Sequence, residues 1–127
     1  MNSEPVAQSV ERSQIVDSQG RRLRNLRVSL TSACNYACVY CVPDGKRLHP
    51  DKSALPLAKL LLAVDYLKQV NDLRTLRVTG GEPLISPQFD DFMAALGRFE
   101  FEDVSLTSNG QLLSRKLPVL LDAGIKR

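Results

Sequence analysis

The sequence predicts an α/β fold built on parallel strands, and three observations support this prediction. Short segments in which apolar and polar residues alternate occur three times along the 127-residue chain. An apolar pattern of helical spacing follows each of these segments. The stretches between successive strands are long enough for the crossovers that parallel pairing requires. We expect one domain at this length, with an N-terminal arm over residues 1–22 and the α/β core over residues 23–127.

The first strand–helix unit begins at about Leu23, where the polar character of the arm ends. Three apolar residues alternate with three polar ones in the predicted strand: Leu26, Val28 and Leu30 against Arg27, Ser29 and Thr31. Five apolar residues then recur at helical spacing: Leu57, Leu60, Leu61, Val64 and Leu67. Pro56 precedes them and suits the first turn of a helix.

The second unit has the clearest boundary signals. A strand is predicted at Thr75–Thr79, and after a loop Ser86 can cap a helix whose first position is Pro87. The predicted apolar face of this helix consists of Phe89, Phe92, Met93 and Leu96. Gly97 is suited to its C-terminal end.

The third unit repeats the arrangement near the end of the sequence. A strand is predicted at about Asp103–Ser108, and a helix from about Ser114 to Gly124. The apolar residues of this helix are Leu117, Leu120 and Leu121. A further strand is expected to begin near Arg127.

Each predicted strand has one apolar and one polar face, which is unusual because buried parallel strands tend to be apolar on both faces. The polar faces carry Arg27, Ser29, Thr31, Thr75, Arg77, Thr79, Ser105 and Thr107. One interpretation is a barrel whose polar interior holds a hydrated or charged ligand. The other is a half-solvated sheet whose arginines reach water. The first is favoured because inward-facing charges are costly unless they are paired.

Composition excludes several classes of protein. The net charge of +3 is too small to indicate nucleic acid or an anionic membrane as a partner, and no apolar stretch approaches the roughly 20 residues that span a bilayer. The polar N-terminus lacks the apolar region of a secretory signal, so a cytoplasmic location is expected. Three cysteines are an odd number, which argues against a disulfide framework.

All three cysteines lie in the segment CNYACVYC, where Cys34, Cys38 and Cys41 have the spacing C-x3-C-x2-C. Clustered thiolates select zinc, copper(I) or iron–sulfur clusters. A structural zinc site needs four ligands, and His49 is the candidate for the fourth. The alternative is a four-iron cluster held by three cysteines, which leaves one iron open for a cofactor. The segment follows the first strand, at the end where parallel α/β folds bind their ligands.

CNYACVYC, with the aromatic Tyr40 before its last cysteine, resembles the signature of radical S-adenosylmethionine (SAM) enzymes, and so does TGGEP at residues 79–83. Together with LRVTGGEPLI, VSLTSNGQLL and LLDAGIKR, it resembles the N-terminal part of the molybdenum cofactor biosynthesis protein A family, the GTP 3′,8-cyclases. The resemblance extends from about Asp17 to Arg127. It implies the N-terminal half, about three βα units, of a partial (β/α)6 barrel.

The resemblance also implies a reaction and its site residues. Family members cleave SAM reductively at a 4Fe-4S cluster and convert GTP to (8S)-3′,8-cyclo-7,8-dihydroguanosine 5′-triphosphate, the first step of molybdopterin biosynthesis. Three sets of residues match family positions: Cys34, Cys38 and Cys41 for the cluster; Tyr40, Gly80, Gly81 and Glu82 for SAM; Arg27, Arg77 and Thr107 for GTP. The face alternation places these last three on the polar side independently of the resemblance.

Further partners follow from the same resemblance. They are an electron donor such as flavodoxin or ferredoxin, a downstream pterin synthase, and a second copy of the full-length protein in a homodimer. Family members hold a second cluster on three later cysteines, which this chain lacks. We therefore expect a truncated core that binds a cluster poorly and has no cyclase activity alone. Two alternatives remain: a radical SAM enzyme acting on a peptide or another small molecule, and a zinc-binding module using the three cysteines and His49.

Overall fold

The computed structural model describes residues 14–41 and 54–127, which form an α/β fold around one parallel sheet. The strands are β1 (Asn25–Ser29), β2 (Thr75–Thr79) and β3 (Asp103–Leu106), in the spatial order β1-β2-β3. The helices are α1 (Leu57–Val70), α2 (Phe89–Ala95) and α3 (Leu113–Asp122). Each strand pairs in parallel with the next. The predicted α/β class with three strand–helix units is confirmed.

The register of the sheet aligns residues of like character. Arg27 lies opposite Arg77, and Arg77 lies opposite Ser105. One position further along, Val28 lies opposite Val78. Because successive side chains on a strand point to opposite faces, these rows belong to different faces of the sheet. Val28 and Val78 are buried and both arginines are exposed, as the alternation predicts.

The core lies between the apolar face of the sheet and the helices. It is formed by buried side chains from the strands, the helices and the loop after β2: Val28, Leu30, Val64, Leu76, Val78, Leu84, Phe89, Phe92, Met93, Leu96, Phe99 and Leu120. Burying a large apolar side chain stabilises a fold by about 1.5–3 kcal/mol. Helix α2 contributes Phe89, Phe92 and Met93, each fully buried. This short helix is therefore the centre of the core.

The boundaries of the second helix differ from the prediction. Ser86 and Pro87 precede α2, which begins at Phe89, and Ser86 Oγ accepts a hydrogen bond from the backbone of Gln88 at 3.3 Å. Beyond α2 the chain tightens into a 3-10 helix, Leu96–Phe99, so Gly97 does not end the helical segment. Glu100, at φ 53°, ends it instead. Burial of Leu96 and Phe99 accounts for the extension, since continued helical geometry keeps both on the core face.

The apolar face predicted for the third helix is partly wrong. Leu120 is buried, but Leu117 and Leu121 are exposed, Leu121 to 66%. Leu112, Val119 and Ala123 pack against the core with Leu120 instead. Residues three and four apart share a helix face, and both sets satisfy that spacing. The sequence alone therefore did not select the correct set.

The described part of the predicted N-terminal arm forms a tight turn before β1. Leu23 N–H donates to Ile15 O at 2.9 Å, and Asp17 accepts hydrogen bonds from Arg21 across the turn. Asn71, buried at the end of α1, accepts from Ile15 N–H at 3.1 Å and donates to Leu67 O. The turn is thus attached to the end of α1. Residues 1–13 lie outside the described part of the chain.

Within the two described segments, no helix is long and apolar enough to cross a lipid bilayer.

Candidate functional site

The cysteine loop, residues 34–41, leaves the carboxyl end of β1. Cys34 and Cys38 are half-buried, Cys41 is exposed, and all three thiols are free. Tyr36 N–H donates to Cys34 Sγ at 3.4 Å, and Cys41 N–H donates to Cys38 O at 3.0 Å. The loop therefore presents three unoxidised sulfur donors at the edge of the sheet where parallel folds bind ligands.

Tyr40 lies between Cys38 and Cys41 in the loop and is 82% exposed. A hydrogen bond with Cys38 raises the pKa of the Tyr40 hydroxyl above its ordinary value, and the electrostatic influence of Cys38 and Cys41, and less that of Cys34, raises it further. Among the described residues, no three Cys, His, Asp or Glu side chains converge as a metal site.

The loop after β2 is joined to the start of the cysteine loop by main-chain hydrogen bonds. Gly81 N–H donates to Thr31 O at 2.7 Å, and Glu82 N–H donates to Ala33 O at 2.9 Å. These bonds continue the pairing of β1 and β2 beyond the strands themselves. The predicted cluster loop and the predicted SAM loop consequently lie side by side.

The two glycines of this loop are required by that close approach. A Cβ atom at Gly81 would lie 2.2 Å from Ala33 O, and one at Gly80 would lie 2.6 Å from Thr31 O. Gly80 also has φ +155°, a backbone conformation that residues with a side chain rarely adopt. The resemblance assigns Gly81 to SAM binding, and the structure provides a further reason for glycine within the chain itself.

Glu82 is 1% exposed, and its carboxylate accepts three hydrogen bonds. The donors are Leu84 N–H at 3.2 Å, Ser108 Oγ at 2.7 Å and Asn109 N–H at 2.7 Å. The last two donors follow β3, so this side chain joins the loop after β2 to the loop after β3. Direct contact of Glu82 with SAM stays a prediction.

The three residues predicted to contact GTP are all exposed on the polar face of the sheet or at its carboxyl edge. Arg27 and Arg77 are neighbours in register and line a concavity of about 440 Å³, and Arg77 Nε donates to Ser105 Oγ at 3.4 Å. Thr107 follows β3, and its backbone N–H donates to Val78 O at 3.0 Å. The GTP contacts of all three stay predictions.

Three amide side chains at this edge were missed by the sequence analysis. Asn109 Nδ2 donates to Asn35 Oδ1 at 2.8 Å, and Asn35 Nδ2 donates to Gln111 Oε1. Asn-Gly is a common turn pair, and Gly110 does have φ +80°. The available signal was positional, because Asn35 and Asn109 follow two strands whose carboxyl ends share one edge.

The donor set fits an iron–sulfur cluster in its chemistry, since three free thiols of one loop are soft ligands for iron or zinc. The candidate fourth zinc ligand, His49, lies outside the described residues. The fit therefore rests on the three cysteines alone.

Curated relatives similar to this chain are named GTP 3′,8-cyclase. The protein of Shewanella denitrificans is 35% identical over all of this chain, which covers 38% of that relative. The protein of Erythrobacter litoralis is 37% identical over 91% of this chain and 35% of its own length, and that of Staphylococcus saprophyticus is 37% identical over 90% and 35%. The chain thus spans little more than a third of the length of these relatives.

The fold is similar to the crystal structure of BtrN in complex with AdoMet and 2-DOIA. The TM-score is 0.63 at 22% identity, and the match covers 83% of this chain and 44% of the other. This likeness supports the predicted α/β fold class with its parallel strands. A family model described as the radical SAM superfamily matches residues 28–127. The chain therefore belongs to the radical SAM superfamily.

Proposed function

We propose that this chain is the N-terminal part of a radical SAM GTP 3′,8-cyclase. The observation that carries the proposal is the main-chain pairing of Gly81 and Glu82 with Thr31 and Ala33, which sets the cysteine loop beside the Gly-Gly-Glu loop. The similarity to GTP 3′,8-cyclases of three bacteria supports the choice of substrate over a peptide.

Cys34, Cys38 and Cys41 would hold a 4Fe-4S cluster through their thiolates. When bound, the cluster supplies the electron that cleaves SAM to methionine and a 5′-deoxyadenosyl radical. The protein contributes position, because one loop carries all three cysteine ligands. A four-iron cluster held by three cysteines would leave one iron open to a cofactor. Exposure of Cys41 and Tyr40 in this loop agrees with a site that a cofactor enters from solvent.

The Gly-Gly-Glu loop would receive the amino acid end of SAM. Gly81 is exposed but its N–H already donates to Thr31 O, so its carbonyl side is the one suited to an ammonium group. Gly80 and Glu82 would hold this backbone in place, and the backbone of Tyr40 would contact SAM from the cysteine loop. In this proposal Glu82 acts through its loop rather than by a free carboxylate.

Arg27, Arg77 and Thr107 would contact GTP from the polar face of the sheet. Two adjacent guanidinium groups suit a triphosphate, since each presents paired N–H donors to oxyanions. Both arginines line the same concavity, of about 440 Å³. For the whole protein we propose four further properties. They are a cytoplasmic location, flavodoxin or ferredoxin as electron donor, delivery of the product to a pterin synthase, and homodimerisation.

The experiment is anaerobic reconstitution of the 127-residue chain with iron and sulfide, followed by reduction in the presence of SAM and GTP. We expect 5′-deoxyadenosine and methionine in low yield from the native chain, because the truncated core binds a cluster poorly, and neither product from Cys38→Ser. No cyclised GTP is expected, because the chain covers only about a third of its relatives. An iron-free chain that binds zinc in a His49-dependent manner would contradict the proposal.

A further inference from the structure

A network of side chains joins all three loops at the carboxyl edge of the sheet, and it involves residues outside the predicted ligand set. It begins at Glu82, whose buried carboxylate holds Ser108 Oγ and Asn109 N–H, both at 2.7 Å. Buried polar groups are stable only when hydrogen-bonded, so these bonds fix the backbone of the loop after β3. The bonds from Glu82 therefore fix the position of the Asn109 backbone, from which its side chain extends.

The amide of Asn109 is then oriented by two further bonds. Its Oδ1 accepts from Gln111 N–H at 3.0 Å, and its Nδ2 donates to Asn35 Oδ1 at 2.8 Å. An amide turned by 180° would set its NH2 group against the Gln111 N–H and its oxygen against the Asn35 oxygen. The network thus selects one orientation.

Asn35 lies one residue after Cys34 and is held from two sides, by Asn109 and by the side chain of Gln111. Within residues 14–41 and 54–127, the side-chain hydrogen bonds that tie the cysteine loop to the rest of the fold are those of Asn35. The main-chain bonds at Thr31 and Ala33 secure only the stretch before Cys34. Asn35 is consequently the attachment point of the loop itself.

We infer that Asn35 and Asn109 are positioning residues that hold the cysteine loop at a set distance from the Gly-Gly-Glu loop. The inference rests on the proposed function, since that distance would separate the cluster from the amino acid end of SAM. Neither residue touches the cluster in this proposal. Each acts through the position of Cys34 and the residues that follow it.

Aspartate has the shape of asparagine but cannot donate from its side chain when ionised. Aspartate variants therefore separate the loss of the Asn35–Asn109 bridge from a general loss of stability. Asn109→Asp keeps the bridge, because Asn35 and Gln111 can each turn their amides and donate in the opposite direction. Asn35→Asp keeps it as well, since its carboxylate still accepts from Asn109. The double variant sets two acceptors against each other and breaks the bridge. Asn109→Ala removes the bridge without adding charge.

The test is the rate at which a chelator strips iron from the reconstituted chain. We expect both single aspartate variants within about twofold of the native rate, and the double variant and Asn109→Ala about fivefold faster, the equivalent of one net hydrogen bond. SAM should perturb the EPR signal of the reduced cluster in the single variants and less in the double one. The control double variant combines Asn35→Asp with Asn25→Asp, which adds the same charge at a distant site. Its rate of iron loss should equal the product of the two single effects.

Double-variant rates equal to the product of the single effects, or an Asn109→Ala rate equal to the native one, would overturn the inference. If the native chain forms no cluster, the proposed function fails and the inference is decided separately. The backbone amide NMR shifts of residues 36–41 in the metal-free chain are then compared across the same variants. Non-additive shifts in the double aspartate variant support the inference, and additive shifts refute it.

Discussion

Gly81→Ala is the substitution for which the structure predicts the largest defined effect. The new Cβ would lie 2.2 Å from Ala33 O, 2.6 Å from Ala33 C and 2.7 Å from Ser32 O. All three contacts are with backbone atoms, which cannot move aside as a flexible side chain can. The two loops must therefore separate, which breaks the Gly81–Thr31 and Glu82–Ala33 hydrogen bonds of 2.7 and 2.9 Å.

The expected loss of stability follows from these two consequences. Two net main-chain hydrogen bonds contribute about 2 kcal/mol, and insertion of a methyl group into a packed contact costs about 1–3 kcal/mol. The sum is about 3–5 kcal/mol, a large part of the roughly 5–15 kcal/mol that stabilises a typical domain. Loss of loop pairing should also abolish cluster binding, since Cys34 follows Ala33 directly.

Urea denaturation followed by circular dichroism measures the free energy of unfolding directly. Gly97→Ala is the matched control, because nothing lies within 4 Å of its added Cβ and its φ is not in the range that alanine avoids. Alanine there should be neutral or stabilise by about 0.4–1 kcal/mol. A free energy of unfolding within about 1 kcal/mol of that of the native chain would contradict this prediction, because the two loops would then accommodate the added methyl group without separating.

Three further predictions concern single side chains. Arg77→Lys should weaken GTP binding by about tenfold in titration calorimetry because lysine lacks the paired donors, whereas Arg98→Lys, on the helical side, should leave it unchanged. Glu82→Gln should lower the free energy of unfolding by about 1.5–3 kcal/mol, because one buried carboxylate oxygen that accepts a bond becomes a donor; an unchanged urea midpoint would contradict this. The pKa of Asp17 is lowered by hydrogen bonds from the backbone of Arg21, then from its side chain, and also from Gln19. The ionised carboxylate therefore stabilises the fold at neutral pH, and this contribution is lost as pH falls through the lowered pKa. NMR titration should show the depression in the native chain and a smaller one in Arg21→Ala, which keeps the backbone bond.

The fold was largely predictable because its strands carry a strict alternation. Arg27 and Val28, one residue apart, differ in burial as that alternation requires. The buried face of helix α3 could not be predicted in the same way. Leu117 and Leu120 fit the same helical period, and only the three-dimensional packing buries Leu120 and not Leu117. The end of the helical segment that begins with α2 was missed, because Gly97 is a general stop signal that the burial of Phe99 overrides.

The site was predictable where residue type determines chemistry. Three cysteines in one short segment identify a metal or cluster loop from the order of residues alone. The amide network at Asn35 and Asn109 was not predictable, because residues 74 positions apart meet only after β1 and β3 join one sheet. The structural reason for Gly81 was likewise hidden, since it depends on the backbone of Ala33 across the sheet.

We propose that the three-cysteine loop holds a cluster with an iron open to SAM beside Gly81. EPR of the anaerobically reconstituted and reduced chain, measured before and after addition of SAM, tests this proposal. We expect a four-iron signal that SAM alters in the native chain, and no such signal in Cys38→Ser. A signal that SAM leaves unchanged, or a chain that takes up zinc and no iron cluster, would contradict it.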